Sequence, residues 1–108
     1  AQARGVKVVI SSHALQLSPG ARGDMALAEI GEICVLMQMH PDNVIRAYDD
    51  FNKMMAAIAE RFHLPFADVR AAVPSDEQYW GDALHFTQTG SALAADALAK
   101  TIVETQWL

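Results

Sequence analysis

The chain has 108 residues, of which 52% are hydrophobic and 19% are charged, and its formal net charge is −5. This composition suits one small domain with an apolar core and excludes a chain that is disordered by composition. Because Lys and Arg form no cluster, we expect neither nucleic acid nor an anionic membrane surface as a partner. The longest apolar run, residues 33–39, contains Gln38 and is too short to span a bilayer.

Cys34 is the single cysteine, so an internal disulfide cannot form. Its neighbours Ile33, Val35 and Leu36 are apolar, which predicts a buried packing residue rather than a nucleophile. No signal peptide is recognisable in the sequence, and the cellular compartment stays open.

The first strand is predicted at Val6–Ser11, where a β-branched run follows a glycine. Such a run is typical of a strand that is buried on both faces of a parallel sheet. Residues 1–5 look like the end of a helix with a C-terminal glycine. We therefore expect residues 1–108 to form a single partial domain, the later part of a longer one.

Residues 12–24 are predicted to form a loop, because Pro19-Gly20 and Gly23-Asp24 are turn signals. The following stretch, Met25–Met39, is ambiguous. Some of its apolar residues are at helical spacing, which favours a helix. Others would lie on the remaining faces of that helix, so a short buried strand is the alternative. The methionines here either fill gaps in the core or form an adaptable apolar wall over a substrate pocket.

A long helix is predicted after the break at His40-Pro41, with Asp42 or Asn43 as its N-cap. Its apolar positions alternate four and three apart and predict one buried stripe, made of Val44, Tyr48, Phe51, Met55, Ile58 and Phe62. A second strand is predicted at Leu64–Val69. Strand, helix and strand in this order predict a β-α-β unit with parallel strands.

The motif Gly81–Gly90 carries the clearest chemical signal in the chain. Asp82 and His85 are three residues apart, so one tight turn lets both side chains project to the same side of the backbone. A carboxylate beside an imidazole fixes its tautomer and stabilises the imidazolium during proton transfer. Thr87 is predicted to cap a final helix that runs to about Glu104. Its packed face is predicted to be Leu93, Ala94, Ala97, Leu98 and Ile102. Gly90, in its first turn, is predicted to allow close approach of a neighbouring backbone.

The order of these motifs resembles a known family. The long helix carries Tyr48-Asp49-Asp50-Phe51-Asn52, the second strand ends in Ala67-Asp68-Val69, and Asp-x-x-His with Thr-x-x-Gly opens the last helix. This pattern is similar to the C-terminal half of an SGNH (GDSL-type) esterase/lipase domain. The resemblance implies a flavodoxin-like, three-layer α/β/α fold with a mostly parallel sheet, of which the two predicted strands would be the last two.

The resemblance also implies catalytic roles for two residues and requires a nucleophilic serine and oxyanion donors. His85 would be the general base and later the general acid, and Asp82 would orient it. Phe86 stands where many members of the family have proline. The nucleophilic serine lies in a Gly-Asp-Ser motif near the start of the family's domain, and the oxyanion donors also lie upstream. The expected partners are a small acyl or acetyl ester and the N-terminal half of the domain, with no cofactor. The isolated chain is expected to be inactive.

Several alternatives stay open at this stage. The Asp82–His85 pair could be structural, in a non-catalytic α/β binding or interaction domain. Ser12 and His13 follow the first strand at the sheet edge where α/β proteins bind ligands, so they are candidate substrate-binding residues. Ser11 and Ser12 lack a nucleophile-elbow pattern and are not favoured as the nucleophile.

The remaining polar and aromatic candidates carry weaker functional signals than the Asp82–His85 motif. Three histidines, His13, His40 and His63, lack metal-ligand spacing, so no metal site is predicted. Tyr79 and Trp80 would border the acyl pocket or anchor at the surface. Asn52 is predicted to be a polar packing or capping group on the long helix.

Overall fold

The computed structural model describes residues 4–16, 31, 34–35 and 38–107. Within them the protein is mixed α/β, with a two-stranded parallel sheet and three helices. Strand β1, Ile10–Ser11, pairs with β2, Phe66–Ala67, with Ile10 opposite Phe66 and Ser11 opposite Ala67. The predicted parallel pairing is therefore confirmed.

Both strands are shorter than predicted, and the residues that flank β2 explain where it begins and ends. Pro65, just before β2, has no N–H to donate to a ladder, although its carbonyl accepts from Ile10 N at 3.0 Å. Immediately after β2, the Asp68 side chain accepts a hydrogen bond from Ala71 N and turns the chain into a helix. A strand over all of Leu64–Val69 is thus prevented at both ends.

Helix α1, Pro41–Arg61, connects the two strands. Its N-cap is His40, whose Nδ1 accepts a hydrogen bond from Asp42 N at 3.2 Å, so the prediction of Asp42 or Asn43 as the cap was wrong. Proline suits the first helical position because its fixed φ is helical and its missing N–H is not needed there. With Pro41 in that position, the residue before it has to act as the cap. Within the described residues, no helix is both long and apolar enough to cross a membrane.

The buried face of α1 is rotated from the predicted stripe. Phe51 is 43% exposed and Phe62 is 55% exposed, whereas Asn52 is buried. The apolar residues of α1 cover an arc wider than the face that the protein packs, so spacing alone does not identify the buried side. The buried positions of this helix are Val44, Ile45, Asn52 and Ala59.

After β2 come a short helix α2, Val69–Ala72, a 3₁₀ turn, Glu77–Tyr79, and the last helix α3, Gln88–Glu104. The predicted cap of α3 is confirmed, because the Thr87 side chain accepts from Gly90 N at 3.2 Å. The packed face of α3 differs from the prediction at one position, Leu98, which is 36% exposed.

The core of the described residues consists of two clusters, and each of them includes a residue that follows β1. One cluster contains Leu15, Cys34, Val44, Ile45 and Ala83, and the other contains Ala14, Val69, Val73, Trp80 and Ala94. Cys34 is a packing residue, as predicted. Trp80 is 5% exposed, and its Nε1 donates to Pro74 O at 2.8 Å. It is therefore a core residue and not a surface anchor, and the predicted place beside an acyl pocket stays a prediction.

Most of the ambiguous stretch Met25–Met39 lies outside the described residues. Of its members, Gly31, Cys34 and Val35 are helical. The predicted turns at residues 19–20 and 23–24 also lie outside the described residues.

Candidate functional site

Asp82 and His85 form a hydrogen-bonded acid–imidazole pair. His85 Nδ1 lies 2.8 Å from Oδ2 and 2.9 Å from Oδ1 of Asp82. Among the described residues, Asp82 is the only one that hydrogen bonds to this imidazole. A carboxylate accepts only, so Nδ1 carries the proton of the neutral ring. Nε2 is then left with its lone pair, which is the arrangement that a general base requires.

The Asp82 carboxylate is fixed by the backbone as well as by the imidazole. Its Oδ1 accepts from Leu84 N at 2.8 Å and from His85 N at 2.8 Å. The hydrogen bond from Leu84 N, followed by that from the His85 ring, holds the pKa of Asp82 below its ordinary value. The group is therefore a carboxylate at neutral pH, and these hydrogen bonds fix its orientation in the absence of a ligand.

The pair sits on a loop that closes on itself. Gly81 N donates to His85 O at 2.8 Å, so the loop turns within five residues. On either side of it, Trp80 and Phe86 form an antiparallel bridge, with ring centroids 4.7 Å apart. This arrangement makes the acid and the imidazole neighbours without help from distant parts of the chain.

The loop is joined to α3 through the predicted cap and glycine. Thr87 N donates to Tyr79 O at 3.0 Å, and Thr87 Oγ1 donates to Gln78 O at 2.7 Å. A Cβ on Gly90 would lie 2.0 Å from Tyr79 O, so only glycine permits this approach. The predicted close backbone approach at Gly90 is confirmed.

The loop is also joined to the sheet. Gln16 N, five residues beyond β1, donates to Ala83 O at 3.1 Å. Ala83 is 1% exposed and packs in the same core cluster as Leu15. In contrast, the His85 side chain is 77% exposed. The imidazole therefore projects from a loop whose middle is anchored in the core.

Ser12 lies at the end of β1 but does not belong to the acid–imidazole pair. It is 4% exposed, its Oγ donates to Asp68 Oδ1 at 2.8 Å, and it accepts from Arg70 N at 2.9 Å. These bonds tie the two strand ends together. A buried hydroxyl that is already bonded on both sides is not presented as a nucleophile.

Ser12 also lines an open groove of about 500 Å³ between α1 and α2, whose lining includes charged side chains. Asp49 in this groove is paired with Lys53 at 2.8 Å and with Arg70 at 3.2 Å. The Lys53 hydrogen bond is the main cause of the lowered pKa of Asp49. Both cations of the groove pair with Asp49, and its other carboxylate, Asp68, accepts hydrogen bonds from Ser12 Oγ and Ala71 N, so the groove offers little unpaired charge to a ligand.

His13, the other residue predicted to bind substrate, does not line the groove that Ser12 lines. Its backbone N–H donates to Asn52 Oδ1 at 2.7 Å, and its carbonyl accepts from Asn52 Nδ2 at 2.8 Å. Its imidazole lies 5.3 Å from the Tyr48 ring, centroid to centroid. The predicted packing role of Asn52 is confirmed, but its partner is 39 residues away and no local signal could have identified it.

The other histidines have conformational roles. His40 caps α1, and His63 has a φ of 51° in the turn that follows that helix. Among the described residues, no group of three or more His, Cys, Asp or Glu side chains is placed to hold a metal ion.

Comparison of the chain with protein-family models, with curated proteins and with solved structures finds no match.

Proposed function

We propose that this chain supplies the acid–base pair of a serine hydrolase that cleaves a small acyl ester. The observation that carries the proposal is the contact of His85 Nδ1 with both carboxylate oxygens of Asp82, which leaves Nε2 outside that contact on a side chain that is 77% exposed. In the reaction, Nε2 takes the proton of the attacking hydroxyl and then gives it to the leaving alcohol. Asp82 keeps the imidazole in the required tautomer and stabilises its charged form.

The proposed fold is the three-layer α/β/α fold of the SGNH (GDSL-type) family, of which this chain is the C-terminal portion. Two features support it. The strands are parallel and separated by α1, and the Asp-x-x-His loop lies between the second strand and α3. The link from Gln16 to Ala83 adds a third, because it holds the loop beside the residues that follow β1.

In this proposal the nucleophile and the oxyanion donors come from residues outside the 108. The support is chemical: of the serines that follow β1, Ser12 has its hydroxyl committed to Asp68 and Arg70. No described serine hydrogen bonds to His85. Oxyanion stabilisation is commonly the largest contribution to acyl transfer, so the 108 residues alone are expected to show no enzymatic turnover.

A second candidate is a non-catalytic α/β binding or interaction domain. The observation that favours it is the pair of backbone hydrogen bonds to Asp82 Oδ1, which close the loop irrespective of catalysis. In this second candidate, Asp82 shapes the loop and takes no part in a reaction.

The two candidates are separated by a labelling and turnover experiment on a polypeptide that contains these residues together with a Gly-Asp-Ser segment. We expect a serine-reactive fluorophosphonate to label it and His85→Ala to lower kcat by about 10⁴-fold or more, because triad members act as a unit. His63→Asn is the matched control: His63 is exposed, and asparagine tolerates its positive φ. A folded polypeptide that is not labelled refutes the hydrolase, and turnover that survives His85→Ala places the base elsewhere.

A further inference from the structure

One side of α1 leaves large apolar side chains exposed to solvent. Phe51, Met54 and Phe62, the residue that ends the helix, are each between 43% and 55% exposed. Because a helix turns by about 100° per residue, these three positions and the half-buried Ile58 fall within about 80° of one another around its axis. Exposed apolar residues that are contiguous, rather than scattered singly, mark an interaction surface. These four residues are called the exposed stripe.

An apolar groove lies at the N-terminal end of the exposed stripe. The described residues that line it are His13, Ala47, Tyr48 and Phe51, and its volume is about 380 Å³. Asn52 binds both the N–H and the carbonyl of His13, so this wall is fixed against α1. A cavity of about 150 Å³ is enough to bind benzene, so the groove has room for one aromatic side chain.

Two exposed charged residues flank the exposed stripe on the side that faces away from the core. Asp50 lies near its N-terminal end and Arg61 near its C-terminal end, about three helical turns apart. Among the described residues neither of them forms an ion pair, and the Arg61 guanidinium lies 5.6 Å from the Phe62 ring. The same flank therefore presents an acid at one end and a base at the other.

We propose that the exposed stripe binds a second copy of this chain, with the two α1 helices antiparallel across a twofold axis near positions 55–56. In such a pair, residues that lie equally far from the axis on its two sides face each other. Met54 then faces Ile58 of the second copy and Asp50 faces Arg61 of the second copy, since both pairs have their midpoint at positions 55–56. The twofold axis generates each contact twice, so the charges form two ion pairs.

The same axis brings Phe62 of each copy to the apolar groove of the other. The groove walls on α1, at residues 47–51, lie as far before the axis as Phe62 lies beyond it. An exposed ring thus meets an apolar concavity, as a knob meets a hole between packed helices. A second copy therefore complements the exposed stripe at both ends, in shape and in charge, and this self-complementarity is the reason to infer a copy of this chain rather than an unrelated partner.

The exposed stripe runs for only about 16 Å along the helix. Because small interfaces belong to weak and transient complexes, we expect a dimer that dissociates on dilution. None of the residues involved belongs to the Asp82–His85 loop, so the inference goes beyond the hydrolase proposal and does not depend on it.

Charge reversal tests the antiparallel pairing. The 108-residue chain is followed by sedimentation equilibrium over a wide range of concentration, and we expect a monomer–dimer equilibrium. Asp50→Arg alone, or Arg61→Asp alone, places like charges opposite each other twice and should raise the dimer Kd at least tenfold. An equimolar mixture of the two single variants should recover dimers, because each variant then faces opposite charges. Glu60→Arg is the matched control: Glu60 is exposed on α1 and lies half a turn around the helix from Phe51.

A second substitution tests the contact between ring and groove. Phe62→Ala should raise the dimer Kd at least tenfold, because it removes the ring that enters the groove of the other copy. Val103→Ala is the control, since Val103 is 59% exposed on α3 and away from the exposed stripe. Both positions are exposed, so the variants should keep the fold, and urea denaturation checks this.

Three results overturn the proposal. The first is a 108-residue chain that stays monomeric at every concentration reached. The second is a dimer that neither the charge reversals nor Phe62→Ala weakens, which places the association elsewhere. The third is a longer polypeptide, extended upstream of Ala1, that is monomeric and whose Phe62→Ala variant loses stability, because the exposed stripe is then covered by the upstream segment.

Discussion

Replacing Gly90 by alanine should damage the loop that carries the candidate site. A Cβ at this position would lie 2.0 Å from Tyr79 O, 3.0 Å from Tyr79 C and 3.2 Å from Phe86 Cβ. Real Cβ contacts essentially never fall below 3.0 Å, so the Tyr79 carbonyl or the start of α3 has to move by about 1 Å. The obstacle is backbone, which cannot rotate away as a flexible side chain can.

The expected loss of stability follows from two opposing effects. Alanine is favoured over glycine inside a helix by about 1 kcal/mol. Overpacking typically costs about 1–3 kcal/mol, and a backbone obstacle puts Gly90→Ala at the upper end. We therefore expect a net fall of about 1–2 kcal/mol in the free energy of unfolding, or roughly 4–15 °C in Tm for a domain of this size. Urea and thermal denaturation measure both.

A local readout distinguishes this mechanism from general destabilisation. Tyr79 O accepts from Thr87 N at 3.0 Å, and a shift of about 1 Å breaks that bond. Hydrogen exchange at the Thr87 amide should accelerate well beyond the change in global stability. Gly31→Ala is the matched control, because Gly31 is helical and no described atom lies within 4 Å of its Cβ position. If Gly90→Ala is as stable as wild type and Thr87 keeps its protection, the argument from close approach is refuted.

Three further substitutions test the hydrogen bonds of the site and of its surroundings. Asp82→Asn should lower kcat in the turnover-competent polypeptide by about 10⁴-fold through the wrong His85 tautomer, which ¹⁵N shifts of the ring report. Backbone N–H groups hold the pKa of Asp82 below its ordinary value, so its carboxylate stabilises the fold above about pH 4. This stabilisation is lost as the pH falls through the lower pKa of the folded state. Asp82→Asn should therefore flatten an acid denaturation profile over that pH range. Asn52→Ala should cost about 2–4 kcal/mol in urea denaturation, since both backbone groups of His13 lose their partner, and an unchanged midpoint contradicts this. Ser12→Ala should cost about 1–3 kcal/mol yet retain fluorophosphonate labelling; loss of labelling in the folded variant makes this serine the nucleophile.

The features predicted correctly from the sequence are those that a short segment determines through its own residues. The cap at Thr87 depends on a residue three positions away, and each strand or helix is signalled by its own run of residues. The close approach at Gly90 involves Tyr79, but the missing Cβ that permits it is a property of the glycine itself. Their physical causes are local too: β-branched residues favour strands, a hydroxyl caps a helix, and glycine has no Cβ.

The predictions that failed depend on what distant residues do. Spacing placed Phe51 inside, but the buried face of α1 is set by the bonds of Asn52 to the backbone of His13, 39 residues earlier, a partner that spacing could not identify. Trp80 became a core residue because Ala14 and Ala94, from two other segments, surround it. The cap of α1 was misplaced for a different reason: histidine is an unusual N-cap, and proline at the next position overrides the preference for aspartate or asparagine.

The closed loop around Asp82 has a consequence for the order in which the molecule assembles. The acid and the base are three residues apart, and the flanking bonds span at most nine residues, whereas β1 and β2 join positions 56 apart. Loops of about ten residues close in roughly 10–100 ns, and long-range strand pairing is far slower. The Asp82–His85 pair is thus expected to form early and to re-form quickly after local opening. An intact Asp82–His85 contact in solution is accordingly a sign of order in about a dozen residues, and the long-range bond from Gln16 to Ala83 is the better spectroscopic marker of the folded domain.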